Sequence, residues 1–102
     1  MKQVRISEEA AAEMAEAARW YETHRVRLGA DFLDAVNATV ATVADVPGIG
    51  SPVPEVLDQA IRRCPVRRFP YHVVYMELQD RLQILAVAHD RRRPGYWKGR
   101  LG

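Results

Sequence analysis

The two halves of this sequence favour different secondary structures, and that segregation limits its fold more than any other feature. Residues 8–44 are rich in alanine, glutamate and other good helix formers, and their apolar residues recur three and four positions apart. Residues 61–89 contain aromatic and β-branched runs separated by short polar turns. This arrangement predicts an α+β fold in which a helical hairpin packs on one face of a mostly antiparallel sheet.

The first half predicts a short strand at residues 2–6, where polar and apolar side chains alternate, and then the helical hairpin. Ser7 is followed by two glutamates, which predicts the N-terminal cap of a helix that extends to about His24. Gly29 lies in a predicted connector, and a second helix follows over about residues 31–44.

The second half predicts three strands after a loop. Residues 45–54 contain three prolines and two glycines, so we expect a connector there. The strands are expected at residues 61–66, 69–78 and 82–89, and the last is the most apolar, which favours an interior position in the sheet. Residues 90–102 are expected to form a charged turn, an aromatic pair and a frayed end.

Length and composition exclude several classes of protein. The 102 residues fit a single domain over residues 1–102 with the element order β-α-α-β-β-β. No apolar run approaches the roughly 18–20 residues that span a bilayer, and the first residues lack the apolar core of a secretory signal. Cys64 is the only cysteine, and the three histidines lie in different predicted elements. We therefore expect a cytoplasmic protein without a membrane partner, a metal or a cofactor, and we interpret Cys64 as a small apolar strand residue.

The net charge of +2 conceals an uneven distribution. Residues 1–61 contain five basic and ten acidic side chains, whereas residues 62–102 contain ten basic and three acidic ones. Arginine next to aromatic residues suits phosphate contacts and base stacking, but it also suits an interface with an acidic protein. Tyr71 and Tyr75 are interpreted as core residues. The candidate target-binding residues are Arg67, Arg68, Arg91, Arg92, Arg93, Tyr96 and Trp97.

Two stretches of the second half resemble a known superfamily. The first is the Phe-Pro-Tyr-x-Val-x-Tyr pattern at residues 69–75, within Val66–Tyr75. The second is Ala-Val-x-His-x-Arg-Arg-x-Pro-x-Tyr-Trp at residues 86–97, which follows Ile84 and Leu85. Together with the preceding helical hairpin, they resemble the ParE/RelE superfamily of bacterial type II toxins over nearly the whole chain.

The resemblance implies a toxin that is encoded beside a small antitoxin. The partly disordered C-terminal segment of such an antitoxin wraps its toxin and blocks it, so a hetero-oligomer with the cognate antitoxin is expected. RelE-like members of the superfamily cleave mRNA on the ribosome without a metal, whereas ParE-like members inhibit DNA gyrase and are not known as nucleases.

The resemblance also separates these two activities. RelE-like nucleases use basic residues and a C-terminal tyrosine, and the residues here that match such a set are Tyr96, Arg92, Arg63 and His72. However, Pro65 and His72 stand where the nucleases carry a lysine and an arginine, and Asp90 replaces a further arginine. Because the set is incomplete, we expect a ParE-like inhibitor of DNA gyrase that acts by binding. A ribosome-dependent endonuclease is the alternative.

Overall fold

Two helices pack on one face of a mixed sheet in the computed structural model of the protein, which describes residues 2–54, 56 and 60–101. Within those residues, the helices are α1 (Glu8–His24) and α2 (Leu28–Asp45), and the strands are β1 (Gln3–Ile6), β2 (Ser51–Pro52), β3 (Ile61–Pro65), β4 (Tyr71–Glu77) and β5 (Arg81–His89). Short 3-10 turns cover Pro47–Ile49 and Lys98–Arg100. The predicted α+β fold is confirmed. Neither helix is long and apolar enough to cross a membrane, as far as the described residues extend.

The strand order is β1-β5-β4-β3-β2. Strand β1 runs parallel to β5, and the other neighbours are antiparallel, which gives the mostly antiparallel sheet that the sequence predicted. Strand β5 pairs on both sides, as its apolar sequence predicted, although β4 is the middle strand of the order. The pairing of β1 ends at Ile6, opposite Ile84, so β1 leaves the second half of β5 without a strand neighbour on that side.

Helix α1 begins as the sequence predicted. The Ser7 hydroxyl accepts a hydrogen bond of 3.1 Å from the Ala10 backbone amide, and Glu8 and Glu9 occupy the first turn. The buried face of this helix consists of small residues, including Ala10 and Ala17, which let the sheet and α2 approach closely.

The prediction that α2 begins near residue 31 is wrong. The helix begins at Leu28 and includes Gly29, because this glycine lies where the two helices cross. A Cβ atom at Gly29 would lie 2.5 Å from the carbonyl oxygen of Ala18 in α1. The glycine therefore permits close contact between the helices and does not end one of them.

Apolar side chains fill both faces of the sheet. The larger cluster lies under the helices and includes Phe32, Val73 and Tyr75. Val74 belongs to a second cluster, and since successive strand residues point to opposite faces, this cluster covers the face away from the helices. A bulge in β5 at Leu85 shifts the register with β4 between Val74 and Tyr75. The predicted core position of Tyr75 is confirmed, because its side chain is fully buried.

The segment that follows α2 is more ordered than a plain connector. The Tyr75 hydroxyl donates a hydrogen bond of 2.7 Å to the Pro47 carbonyl and accepts one of 2.9 Å from the Gly50 amide. Arg62 donates to the Gly50 carbonyl at 2.8 Å. These contacts place Ser51–Pro52 beside β3 as β2, a strand that the sequence analysis missed because it is only two residues long.

The end of the chain is ordered, and the prediction of a frayed end is wrong for the described residues up to Leu101. Trp97 is only 1% exposed and packs in the second cluster, and Arg100 binds Glu13 of α1. Gly102 lies outside the described residues.

The packing around Gly50 gives a direct stability test. A Cβ atom there would lie 2.5 Å from the Tyr75 hydroxyl and 2.7 Å from the Arg63 carbonyl oxygen. We expect G50A to lower the free energy of unfolding by about 1–3 kcal/mol through overpacking. G48A is the matched control, because a Cβ atom at Gly48 has no neighbour within 4 Å and should change stability by less than about 0.5 kcal/mol. Urea unfolding compares the two, and equal midpoints would contradict the prediction.

Candidate functional site at the C-terminal tail

Residues 90–101, called the tail below, connect the two faces of the sheet. The tail leaves β5 at Asp90, whose amide donates a hydrogen bond of 2.8 Å to the Pro70 carbonyl. Trp97 then packs on the face away from the helices, and Arg100 reaches α1. The tail therefore passes around the edge of β5 that β1 leaves open.

The Glu13 carboxylate is the point where the tail, α1 and β5 meet. It accepts a hydrogen bond of 2.5 Å from the Tyr96 hydroxyl and two from the Arg100 guanidinium, at 2.9 and 3.2 Å. It also accepts one of 3.1 Å from the Val87 amide of β5. Arg100 donates to the Leu85 carbonyl at 3.0 Å as well. Two side chains thus satisfy backbone groups on the open edge of β5.

Tyr96 is held in its neutral form by this arrangement. Burial raises the pKa of Tyr96 far above the usual tyrosine value, and the hydrogen bond to Glu13 and the negative charge of Glu13 raise it further. The guanidinium of Arg92 stacks on the Tyr96 ring, with its central carbon 3.8 Å from the ring centre. The orientation of Tyr96 therefore determines where the exposed Arg92 lies.

A groove of about 500 Å³ lies beside this site, between α1 and the end of β5. Its walls are largely aromatic, and Trp20 of α1 is 57% exposed there. Tyr71, the predicted core residue, is half-buried in the groove, where burial and the charges of Glu16 and Glu13 raise its pKa. Arg92 and Tyr96 form the wall on the tail side.

Five of the predicted target-binding residues are arginines, and all five are exposed. Arg91, Arg92 and Arg93 are exposed at the start of the tail. Arg67 and Arg68 are exposed in the turn between β3 and β4, and that turn touches the start of the tail through Pro70. Arg68 has a positive φ of 74° and lies 3.8 Å from the carboxylate of Asp31. The five arginines therefore lie at the same end of the sheet.

Trp97 differs from the other predicted target-binding residues because its side chain is inside the protein. It packs in the second cluster with residues such as Ile61 and Val74. In this structure it anchors the tail, and contact with a target would require the tail to leave the sheet.

Two of the four residues of the candidate nuclease set, Tyr96 and Arg92, are in contact, and the other two lie on the sheet. His72 and Arg63 lie on neighbouring strands β4 and β3, in a register that pairs His72 with Pro65 and Arg63 with Val74. The hydroxyl of Tyr96, in contrast, is bound to Glu13 at the edge of β5. None of the contacts found for Tyr96 within the described residues involves Arg63 or His72.

Two features of the site were not predicted from the sequence. The first is the role of Glu13, which lies more than 70 positions from its partners Val87, Tyr96 and Arg100. The second is the contact of 2.9 Å between His72 Nδ1 and the Asp90 carboxylate. His72 and Asp90 both depart from the nuclease pattern, and this shared departure is the sequence feature that points to their pairing.

The remaining candidate chemistry is limited. Burial raises the pKa of the Cys64 thiol, which agrees with its interpretation as an apolar strand residue and opposes a reactive thiolate. Across residues 2–54, 56 and 60–101, no group of three or more histidine, cysteine, aspartate or glutamate side chains is arranged to hold a metal ion.

Comparison with known proteins agrees with this fold. A family profile described as the ParE toxin of the type II toxin-antitoxin system parDE matches residues 4–94. A solved structure titled "Chromosomal ParDE TA system from P. aeruginosa" superimposes with a TM-score of 0.61 at 20% sequence identity. The alignment covers 87% of this chain and 96% of that one, and it supports the fold alone. None of the curated proteins compared with this sequence matches it.

The helical hairpin packed on a mixed sheet is the fold shared with that solved structure. Because the family profile covers most of the sequence, the chain belongs to the ParE toxin family of ParDE systems, and its family implies an antitoxin partner.

Proposed function

We propose that the protein inhibits DNA gyrase in the cytoplasm by binding to it, and that a cognate antitoxin neutralises it in a hetero-oligomer. Membership of the ParE family is the observation that carries the proposal, since gyrase is the target that the ParE-like branch implies. Pro65, His72 and Asp90 interrupt the basic set of the nucleases, and this supports inhibition by binding over catalysis.

The exposed arginines of the tail are the proposed contact with gyrase. Arg91, Arg92 and Arg93 are adjacent, so they repel one another unless a partner supplies negative charge. Arg92 already stacks on Tyr96, and no ion pair is found for Arg91 or Arg93 among the described residues. An acidic surface on the target would neutralise this charge and bury the guanidinium groups.

A supercoiling assay with purified toxin and gyrase tests the proposal. Full activity of gyrase at saturating toxin would contradict it. We expect R91Q/R93Q to require about tenfold more toxin or more for half inhibition, because desolvated arginines at interfaces contribute strongly to affinity. R5Q/R25Q is the matched control, since it removes the same charge from exposed positions outside the tail and should inhibit like the wild type. Equal loss in the two variants would indicate a general effect of charge.

The groove beside α1 is the proposed docking site for a segment of the antitoxin. Its aromatic walls and the exposed Trp20 offer apolar area to such a segment. Because Arg92 and Tyr96 form one wall, a segment in the groove would also cover part of the proposed gyrase contact. Occupation of the groove would therefore explain neutralisation.

Antitoxin binding gives a separate test of this groove. We expect W20E to weaken the complex with the cognate antitoxin by about 2 kcal/mol or more, since a charge would replace an aromatic contact. V26E changes a residue that is even more exposed, at 79%, but lies in the turn between the helices and outside the groove. Titration calorimetry should show a loss for W20E alone. If the two variants lose affinity equally, the segment does not bind in the groove.

The contact between His72 and Asp90 is the one observation that favours the endonuclease alternative. A carboxylate next to Nδ1 orients an imidazole, as a general acid or base requires. The His72 side chain is only 12% exposed, however, so a substrate would have limited access to it.

A cleavage assay on translating ribosomes decides between the two activities. Under the alternative, H72A should lower the rate of mRNA cleavage by about 100-fold or more. H24A removes an exposed histidine at the end of α1 and should leave that rate unchanged. Under the proposed function, transcripts stay intact in the presence of the wild-type protein.

A further inference from the structure

The basic tail needs an anchor, because its charge opposes its own compact path. Residues 90–101 contain five basic side chains and one acidic one, Asp90. Asp90 contacts His72, outside the tail. Trp97 fixes the middle of the tail through apolar packing, and Tyr96 packs against the same cluster, but this cluster contains no residue of α1.

Glu13 supplies the remaining fixed point. Its side chain is 19% exposed, and that of Arg100 is 17% exposed, so solvent screens the pair only in part. The two parallel hydrogen bonds between them restrict direction as well as distance. The Val87 amide fixes the carboxylate to the sheet, so that the tail is held relative to β5 and not only to α1.

The effect of Glu13 extends to the exposed residues through Tyr96. The hydrogen bond of the Tyr96 hydroxyl fixes the plane of its ring, and Arg92 stacks on that ring at 3.8 Å. We propose that Glu13 is a positioning residue that holds the tail against α1 and β5 and thereby sets the direction in which Arg92 meets the target. This inference rests on the proposed role of the tail in target binding. Glu13 of α1 would then contribute to target binding without touching the target.

The first test measures whether Glu13 holds the tail in the full-length protein. E13Q keeps the shape of the side chain and removes the charge, and E8Q makes the same change in the first turn of α1, at an exposed residue without a hydrogen bond to the tail. We expect trypsin to cleave E13Q after Arg91 and Lys98 about tenfold faster than the wild type or more, because the open form of the tail becomes more populated. E8Q should be cleaved at the wild-type rate.

A second readout is specific to the network. The difference in phenolate absorbance between each protein and its Y96F counterpart isolates the titration of Tyr96 from that of the other tyrosines. E13Q should lower the pKa of Tyr96, because the substitution removes the negative charge that opposes ionisation. E8Q should leave that titration unchanged. A purely structural defect elsewhere in the protein would not produce this difference.

Growth arrest on induced expression measures the consequence without assuming the identity of the target. E13Q should need a higher level of induction than the wild type and E8Q, and R100Q should behave like E13Q because it removes the other half of the same pair. R100Q lies near the end of the described chain, so it keeps the inference testable if E13Q folds poorly.

The outcomes separate this inference from the proposed function. Cleavage of E13Q and R100Q at the wild-type rate would overturn the inference, as would a released tail with undiminished growth arrest. If the wild type arrests growth but leaves gyrase fully active, the gyrase proposal fails and the positioning role stands. If the wild type does not arrest growth, target binding by the tail fails and the inference, as a statement about the target, fails with it.

Discussion

The burial of strand β5 on both faces is the constraint on which the rest of the structure depends. Leu82 and Ile84 pack under the helices, whereas Leu85 and Ala86 pack on the opposite face. A helical hairpin covers only one face, so another segment must cover the second one. The tail does so through Trp97. A segment that is basic enough to meet a target is therefore also part of the core.

The open edge of β5 adds a second requirement, which charge satisfies. Strand β1 ends beside Ile84, and the backbone groups of Leu85 and Val87 need partners that no neighbouring strand supplies. Glu13 and Arg100 provide them, and they neutralise each other in doing so. The uneven distribution of charge along the sequence thus has a structural meaning, because the acidic helix and the basic tail meet at this edge.

Local patterns predicted the helices, the main strands and the family, whereas they failed where long-range contacts determine the outcome. Ser7 predicted the start of α1 because a cap depends on its immediate neighbours. Gly29 gave the wrong start for α2, because this glycine lets α1 approach and does not break the helix. Trp97 was expected to meet a target at the surface, but it packs in the core. The site was only partly predictable for the same reason. Arginines reveal a basic surface by themselves, but nothing local to Glu13 indicates its distant partners.

The two outer edges of the sheet differ in a way that limits assembly. The β2 edge consists of two residues, one of them Pro52, and beyond it β3 ends at Pro65. Proline lacks the amide that a further strand would bind, so this edge resists extension. Strand addition is therefore confined to the opposite side of the sheet, where β1 is the outer strand. Two copies of the sheet that paired along that side would leave no long edge for a third copy, which opposes growth into fibres.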